Sequence, residues 1–136
     1  MACVFCSIVA GDLPAVVVLD EPDVLAFLDV KPVFPGHILV VPRVHHETLP
    51  ELPSDLVPVL FEAAQRLAAA VLPALAAHGS FVAINNTVSQ SVPHLHVHVV
   101  PRRRKDGLRG FFWPRHPYTD DAEREGVAAR VRAALA

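Results

Sequence analysis

His94-Leu95-His96-Val97-His98-Val99-Val100 is a stretch in which histidine alternates with apolar residues over three successive repeats. In a β-strand, alternate residues lie on one face of the sheet. The stretch therefore predicts a strand with His94, His96 and His98 on one face and apolar side chains on the other. Each buried imidazole needs hydrogen-bond partners, which makes three of them costly as simple core filling. We interpret this face as a functional site.

Two chemistries use a face of this kind. One is metal binding through neutral imidazoles, as in a zinc-dependent hydrolase with an open three-histidine site. The other is nucleophilic catalysis, in which one imidazole attacks phosphorus and its neighbours bind the phosphate. Gln90 and Ser91 lie just before the strand and offer hydrogen-bond donors for phosphoryl oxygens. The spacing alone does not choose between the two.

The segments around this strand predict an α+β domain. Short apolar runs at residues 15–19, 24–29, 38–41 and 81–85 predict four further strands, and residues 94–101 form the fifth. A long helix is expected from an N-cap at Ser54, kinked or ended by Pro73 and finally stopped at Gly79. Residues 3–10 read as a short turn or helical piece, and Asp120–Leu135 reads as a terminal helix. The expected architecture is a five-stranded antiparallel sheet with one main helix and a C-terminal helix.

The composition is that of a globular chain. It has 136 residues, of which 52% are hydrophobic and 19% charged, with a mean hydropathy of +0.37. These values predict one domain and exclude a disordered chain. Two cysteines do not make a disulfide scaffold, and no secretory signal is visible, so we expect a cytoplasmic protein. Residues 67–101 lack charge but contain Pro73 and four histidines, which argues against a membrane span.

Charge is unevenly distributed along the chain. Residues 1–99 carry 3 basic against 9 acidic side chains, whereas residues 100–136 carry 9 against 5. Six basic residues fall between positions 102 and 115, directly after the histidine strand. A cluster of this kind can steer anionic ligands such as phosphates. A nucleic-acid polymer is not expected as a partner, because the protein as a whole is slightly acidic.

Several segments together resemble the histidine triad (HIT) superfamily. The pattern at residues 94–100 matches its histidine motif, and Gln90-Ser91-Val92 precedes it as in many members. The segment from Cys3 to Pro14 is similar to the family's opening, and residues 24–29 followed by 35–45 are similar to its centre. The resemblance covers residues 1–102. It implies a HIT-like fold over residues 1–136, a homodimer, and an enzyme that cleaves nucleotides.

The resemblance also implies roles for individual residues. His96 matches the nucleophile that attacks the α-phosphorus and forms a nucleotidyl-histidine, and His98 matches the residue that binds the phosphate and assists the leaving group. Asp29 matches the acidic residue that holds the ribose hydroxyls, and His37 matches a supporting histidine. Gln90 and Ser91 match phosphate contacts. The positions that match the apolar wall around the base are Phe5, Ile8, Phe27 and Leu39.

Many members with this N-terminal cysteine pair bind structural zinc. Carried over, the ligands are Cys3, Cys6, His45 and His94, a complete set for a closed tetrahedral site. His46 is the alternative to His45 if the register is shifted by one residue.

The basic and aromatic tail beyond residue 101 is the main departure from a minimal family member. We expect residues 102–136 to shape the active site, with Arg102–Arg104, Lys105 and Trp113 favouring a large anionic leaving group. The substrate is then a dinucleoside polyphosphate or a nucleoside phosphoramidate. The alternatives are the zinc-dependent hydrolase and a non-catalytic nucleotide-binding module.

Overall fold

The computed structural model describes residues 3–109 and 114–136, and its centre is one antiparallel sheet. The strands are β1 (Val17–Asp20), β2 (Val24–Leu28), β3 (Ile38–Pro42), β4 (Gly79–Ala83) and β5 (Val97–Arg102). They are ordered β1-β2-β3-β5-β4, and every neighbouring pair is antiparallel. The predicted five-stranded α+β architecture is confirmed. Because β5 lies between β3 and β4, its histidine end is placed next to Leu39 of β3.

Three helices accompany the sheet in the described residues. They are α1 (Val4–Val9), α2 (Leu56–Leu75) and α3 (Asp121–Leu135), and a short 3-10 turn occupies Leu49–Glu51. The chain divides into two compact units. The unit ending at Asp106 contains the sheet, α1 and α2, and the unit beginning at Gly107 contains α3. A single domain over residues 1–136 therefore stays a prediction.

The two faces of the sheet are covered differently. One face packs against the buried stripe of α2, which includes Leu60, Leu67 and Val71, together with Leu95, Val97 and Val99. On the other face Phe5 of α1 packs with Leu25, Phe27, Leu39 and Val41. Since side chains alternate along a strand, His96 and His98 belong to the α1 side.

Helix α2 has the length and apolar composition that could cross a membrane, and it is the one such helix among the described residues. Its buried stripe against the sheet gives the same composition a second explanation, that of a core helix. Pro73 does not end it. The helix continues to Leu75 and stops at Ala76, which adopts a left-handed conformation with φ of 52°. Pro73 lies in the last turn, where it removes a single intrahelical bond.

Three boundaries differ from those that we predicted. Helix α2 begins at Leu56 behind the N-cap Asp55, one residue after the expected cap at Ser54. Gly79 does not stop the helix but begins β4, because the chain has already turned at Ala76. The β5 ladder begins at Val97, so His94 and His96 precede it. There the Leu95 N–H bonds to the carbonyl of His46, at 2.7 Å.

Gly36 is a position at which we expect alanine to be costly. Its φ is +97°, and an added Cβ would overlap the Leu75 side chain and lie 3.4 Å from Pro101. Leu75 can move, but the left-handed backbone remains unfavourable for alanine. We expect Gly36→Ala to lower the free energy of unfolding by about 1–3 kcal/mol, measured by urea denaturation.

Gly79→Ala is the matched control for this change. No heavy atom lies within 4 Å of its added Cβ, and its φ is not positive. We expect its effect to stay below about 0.5 kcal/mol, the range of ordinary surface substitutions. Equal losses in the two variants would contradict the explanation.

Candidate active site and metal centre

His96 is held in one orientation by the backbone. Its side chain is 4% exposed, and its Nδ1 lies 2.8 Å from the carbonyl oxygen of His94. A carbonyl only accepts, so the proton of the neutral ring is on Nδ1 and Nε2 keeps its lone pair. The Phe5 ring packs edge-on against His96, with centroids 5.1 Å apart. The arrangement gives an imidazole with a fixed tautomer and a nucleophilic Nε2.

His98 is connected to His37 by a second chain of hydrogen bonds. The Val33 N–H donates to His37 Nδ1 at 3.1 Å, so the proton of a neutral His37 is on Nε2. That Nε2 lies 2.9 Å from His98 Nδ1 and donates to it. The His98 proton is then on Nε2. His37 thus makes His98 a hydrogen-bond donor, which is the form that binds a phosphoryl oxygen.

Burial keeps both of these imidazoles neutral. It lowers the pKa of His98 from 6.5 to about 4, with further contributions from His96 and His37, while the Asp29 carboxylate acts in the opposite direction. Burial also lowers the pKa of His37, against the opposing effect of Asp29. Neutral rings are what the hydrogen-bond chain through His37 requires. At neutral pH His98 is therefore a hydrogen-bond donor without a positive charge.

The lowered pKa of His98 predicts acid sensitivity of the fold. Between about pH 6.5 and pH 4 the unfolded chain protonates this histidine and the folded protein does not. The unfolded state therefore binds more protons, and stability decreases as the pH falls through this interval. We expect the free energy of unfolding, measured in urea from pH 7.5 to pH 4.5, to decline less steeply in His98→Asn than in the parent protein. Parallel pH profiles would exclude His98 as a source of the effect.

The other polar residues expected at the site have different surroundings. Asp29 is partly buried, accepts the Lys31 N–H at 2.8 Å and lies 3.7 Å from His37 Nδ1. Ser91 is exposed at the end of the loop before His94. The Gln90 side chain is hydrogen-bonded within the protein. Its amide donates to the Glu47 carbonyl at 2.6 Å, and its oxygen accepts the Thr87 N–H. Gln90 thus braces the loop, and its contact to phosphate stays a prediction.

The expected base wall lies largely inside the core. Phe5, Phe27 and Leu39 are no more than 6% exposed, and Ile8 is partly buried against them. An open groove of about 370 Å³ adjoins Asp29. Its other lining residues are Pro14, Ala15, Val16, Leu28 and Val30. We did not predict this groove from the sequence, where the apolar residues on either side of Asp29, Leu28 and Val30, were the available signal.

Four side chains predicted as metal ligands come together at the N-terminal end of the site. The ligand atoms of Cys3, Cys6, His45 and His94 all lie within 4.8 Å of one another. His94 Nδ1 is 3.4 Å from the Cys3 sulfur and 3.6 Å from the Cys6 sulfur, and His45 Nδ1 is 3.3 Å from the Cys6 sulfur. These residues can hold one metal ion. Of the two neighbouring histidines, His45 belongs to this cluster and His46 does not.

The surroundings of His94 and Cys6 are compatible with metal binding by this cluster. His94 is fully buried, and its Nε2 donates to the Pro42 carbonyl at 2.8 Å, which leaves Nδ1 facing the sulfurs as the ligand atom. Burial lowers the pKa of His94, so the ring is neutral, as a ligand must be. Burial also raises the pKa of Cys6, with a further contribution from Cys3. Metal binding acts against this, because a coordinating thiol is deprotonated.

The first three basic residues of the tail, Arg102, Arg103 and Arg104, form contacts within the unit that contains the sheet. Arg102 forms an ion pair with Asp106 at 2.6 Å, and Arg103 donates to the Leu75 carbonyl at the end of α2. The Arg104 N–H donates to His78 Nδ1. These contacts are structural. Trp113, the aromatic residue expected to shape the site, lies outside the described residues.

The loop before the histidines carries backbone strain that we did not predict. Thr87 and Ser89 have φ of 67° and 60°, a left-handed conformation that favours glycine. The Asn86 side chain accepts the Leu49 N–H at 2.7 Å and ties the loop to the segment after β3. The absence of glycine from this short loop was the sequence signal that could have indicated the strain. Strained residues of this kind cluster at functional sites.

The sheet and the histidine end of β5 define an α+β protein with an ordered pair of histidines, His96 and His98, next to a Cys/His cluster. A model of the HIT domain matches residues 10–105, and the chain therefore belongs to the HIT family.

Relatives and solved structures agree with this family. The chain is 38% identical to protein hit of Bacillus subtilis, over 92% of this chain and 86% of that protein. It is 31% identical to the adenosine 5'-monophosphoramidase hnt1 of Schizosaccharomyces pombe, over 97% and 100%. A HIT family structure from Bacillus subtilis has a TM-score of 0.90 at 35% identity, covering 100% of this chain and 99% of that one. A Zn-bound histidine triad protein from Mycobacterium smegmatis has a TM-score of 0.76 at 37% identity, with 98% of each chain covered.

Proposed function

We propose that this HIT family hydrolase cleaves nucleotides at the α-phosphorus through a covalent nucleotidyl-histidine on His96. The observation that carries the proposal is the hydrogen bond from His96 Nδ1–H to the His94 carbonyl, which reserves Nε2 for attack. A nucleophile needs this preparation, since an imidazole whose outward nitrogen is protonated cannot attack. The name of the Schizosaccharomyces pombe relative, a phosphoramidase, supports an enzyme of the same class.

The reaction takes two steps on this site. In the first step His96 Nε2 forms a bond to the α-phosphorus, and the bond from phosphorus to the leaving group breaks. In the second step water attacks the same phosphorus, the phosphorus–nitrogen bond breaks, and the nucleoside monophosphate leaves. The proton stays on Nδ1 throughout, and its hydrogen bond to the carbonyl of His94 stabilises the positive charge that the substituted ring acquires. An acceptor other than water makes the same chemistry a nucleotidyl transfer.

The neighbouring residues bind the substrate. His98 donates its Nε2–H to a phosphoryl or bridging oxygen, and His37 holds it in that tautomer. Ser91 offers its hydroxyl to the phosphate, with Gln90 as the brace of its loop. Asp29 accepts from the ribose hydroxyls, and the groove beside it takes the nucleoside together with the wall of Phe5, Ile8, Phe27 and Leu39.

The two substrate classes differ in what their leaving groups require. A phosphate that leaves a dinucleoside polyphosphate departs as a stable anion, whereas the amine of a phosphoramidate must gain a proton. With the pKa of His98 at about 4, this residue holds no extra proton to give at neutral pH. The proton for a leaving amine must then come from solvent, so turnover of a phosphoramidate should decline from pH 6 to pH 9, while turnover of a dinucleoside polyphosphate should not. The ratio of kcat/KM for the two substrates at pH 7 assigns the preferred class, and the two pH profiles test the source of the proton.

We further propose that the ion held by Cys3, Cys6, His45 and His94 is structural zinc. Two thiolates and two imidazoles fill a tetrahedral coordination sphere, so the ion would cross-link the chain and supply no open position for chemistry. This arrangement argues against a zinc hydrolase that uses all three triad histidines. His94 belongs with the cysteines, and Nδ1 of both His96 and His98 is engaged in hydrogen bonds. A purely nucleotide-binding role would leave the prepared Nε2 of His96 unexplained.

The tail and the assembly state are part of the proposal. The basic and aromatic residues of the tail, Arg102–Arg104, Lys105 and Trp113, would favour a larger anionic leaving group. Truncation after Pro101 removes them and is expected to lower dinucleotide turnover; a truncated protein that stays folded with unchanged turnover would remove the idea. A homodimer is supported by exposed apolar side chains on α2 and on the edge strand β4, namely Val57, Phe61, Leu72 and Val82. A monomer by light scattering would contradict it. The cytoplasmic location and the absence of membrane or nucleic-acid partners remain predictions.

Trapping the intermediate tests the function directly. The protein is mixed with a nucleoside phosphoramidate, quenched within milliseconds and digested, and the peptides are analysed by mass spectrometry. We expect a nucleoside monophosphate adduct on the peptide that contains His96, and none in the His96→Asn variant. Turnover without any adduct on His96 would overturn the covalent mechanism. Nucleotide binding without turnover on either substrate class would favour the binding module.

A further inference from the structure

We propose that the Cys3–Cys6–His45–His94 cluster positions the nucleophile His96, and that Phe5 is the positioning residue through which it acts. The proposal rests on the proposed function, because it concerns the same histidine. It gives the cluster a task beyond holding the fold together. Three separate connections between the cluster and the catalytic residues support it.

The first connection is the Phe5 side chain. Phe5 lies in α1 between the two cysteine ligands, is 6% exposed and packs against both histidines. Its ring centroid is 5.8 Å from His94 and 5.1 Å from His96, edge-on in each case. The six-residue helix α1 is too short to be stable alone. Core packing against Phe27 and its neighbours holds one side of Phe5, and the exact place of its ring, and so of the wall behind His96, also depends on what holds Cys3 and Cys6.

The second connection is the backbone of His94. The side chain of His94 belongs to the cluster, and its carbonyl accepts the Nδ1–H of His96. One residue therefore provides a metal ligand and fixes the tautomer of the nucleophile. A rotation of His94 that follows from loss of its ligand partners would move this carbonyl and weaken the hydrogen bond to His96.

The third connection runs through the segment after β3. His45 provides a ligand, the His46 carbonyl accepts the Leu95 N–H at 2.7 Å, and the Glu47 carbonyl accepts from the Gln90 amide at 2.6 Å. Three consecutive residues thus bind the cluster, the backbone beside His96 and the loop that carries Ser91. A purely structural metal site would not need contacts at each of these points.

Phe5→Ala, with Phe5→Leu as the milder change, tests this coupling in the zinc-loaded protein. Val4→Ala is the matched control, because Val4 lies in the same helix between Cys3 and Phe5 but is 51% exposed. Three quantities are measured: zinc per chain, the tautomer of His96 from the imidazole nitrogen shifts in NMR without nucleotide, and the single-turnover rate of adduct formation. The NMR measurement separates positioning from a role of Phe5 in the base wall.

We expect Phe5→Ala to keep its zinc, to lose the single Nδ1–H form of His96 and to form the adduct at least about 10-fold more slowly, with KM changed much less. Phe5→Leu should recover part of the rate, and Val4→Ala should resemble the parent in all three measurements. Removing zinc from the parent with a chelator should produce the same change in the His96 spectrum.

Two results would overturn the coupling. One is a His96 tautomer that is unchanged both in Phe5→Ala and after removal of zinc. The other is a Phe5→Ala variant whose loss is confined to KM, as expected of a base contact. If the parent protein forms no adduct, the proposed function fails, whereas the NMR comparison still decides whether the cluster orients His96.

Discussion

Replacing His96 with asparagine is expected to lower turnover by about 10⁴-fold or more, the loss typical of removing a catalytic nucleophile. Asparagine can keep a hydrogen bond to the His94 carbonyl but has no nitrogen lone pair with which to attack phosphorus. Nucleotide binding should change little, because His98, Ser91 and Asp29 are retained. The result is measured as kcat on a phosphoramidate and on a dinucleoside polyphosphate.

The zinc content of His96→Asn distinguishes a nucleophile at this position from a metal ligand. If His96 is the nucleophile, His96→Asn keeps the zinc of the parent protein, whereas a zinc hydrolase built on the triad would lose it. His78→Asn is the matched control, since His78 is exposed and bonds to the Arg104 N–H away from the triad. Retained turnover in His96→Asn, or metal loss with otherwise intact folding, would refute the nucleophile assignment.

Cys6→Ser is expected to produce the largest loss of stability. The change is nearly isosteric and Cys6 is only partly buried, so packing alone predicts a small effect. The loss comes from the metal, because an ion that binds only the folded state stabilises it by about 4 kcal/mol when its free concentration is 1,000 times Kd. We expect most of this stabilisation to disappear, as measured by urea denaturation in buffer with defined free zinc.

A chelator separates the metal effect from other causes. The parent protein in excess EDTA should lose as much stability as Cys6→Ser, and EDTA should not destabilise the variant further. Ser7→Ala, one residue along α1 and outside the cluster, should keep both zinc and stability. A parent protein whose unfolding is indifferent to EDTA would mean that no structural metal is bound.

The alternation at residues 94–100 carried most of what could be predicted from the sequence. An alternation with a period of two residues determines which side chains share a face of the sheet. In the structure Leu95, Val97 and Val99 pack in the core against α2, and the histidines lie on the opposite face. Period does not determine where a ladder begins. The pairing with β3 starts at Val97 opposite Val40, and the preceding residues bond to His46 and Pro42 instead.

Other features depend on partners far along the chain. The tautomers of His96 and His98 follow from the His94 carbonyl and the Val33 N–H, and no spacing rule reports backbone groups of this kind. The brace formed by Gln90 depends on the Glu47 carbonyl, 43 positions away. The grouping of Cys3, Cys6, His45 and His94 was predicted only through the resemblance, since Cys3-x-x-Cys6 by itself is equally typical of redox pairs.

The wide separation of the proposed metal ligands along the chain has a consequence for the order in which the protein folds. Cys3 and Cys6 are synthesised 91 and 88 residues before His94, with which they share the cluster. During synthesis the cysteine pair therefore waits for β5, and the entropy of closing so long a loop is overcome only after the sheet has formed. Helix α1 is too short to persist alone, so we expect it to become ordered last. His96 then acquires its final surroundings only when the two ends of this long segment meet.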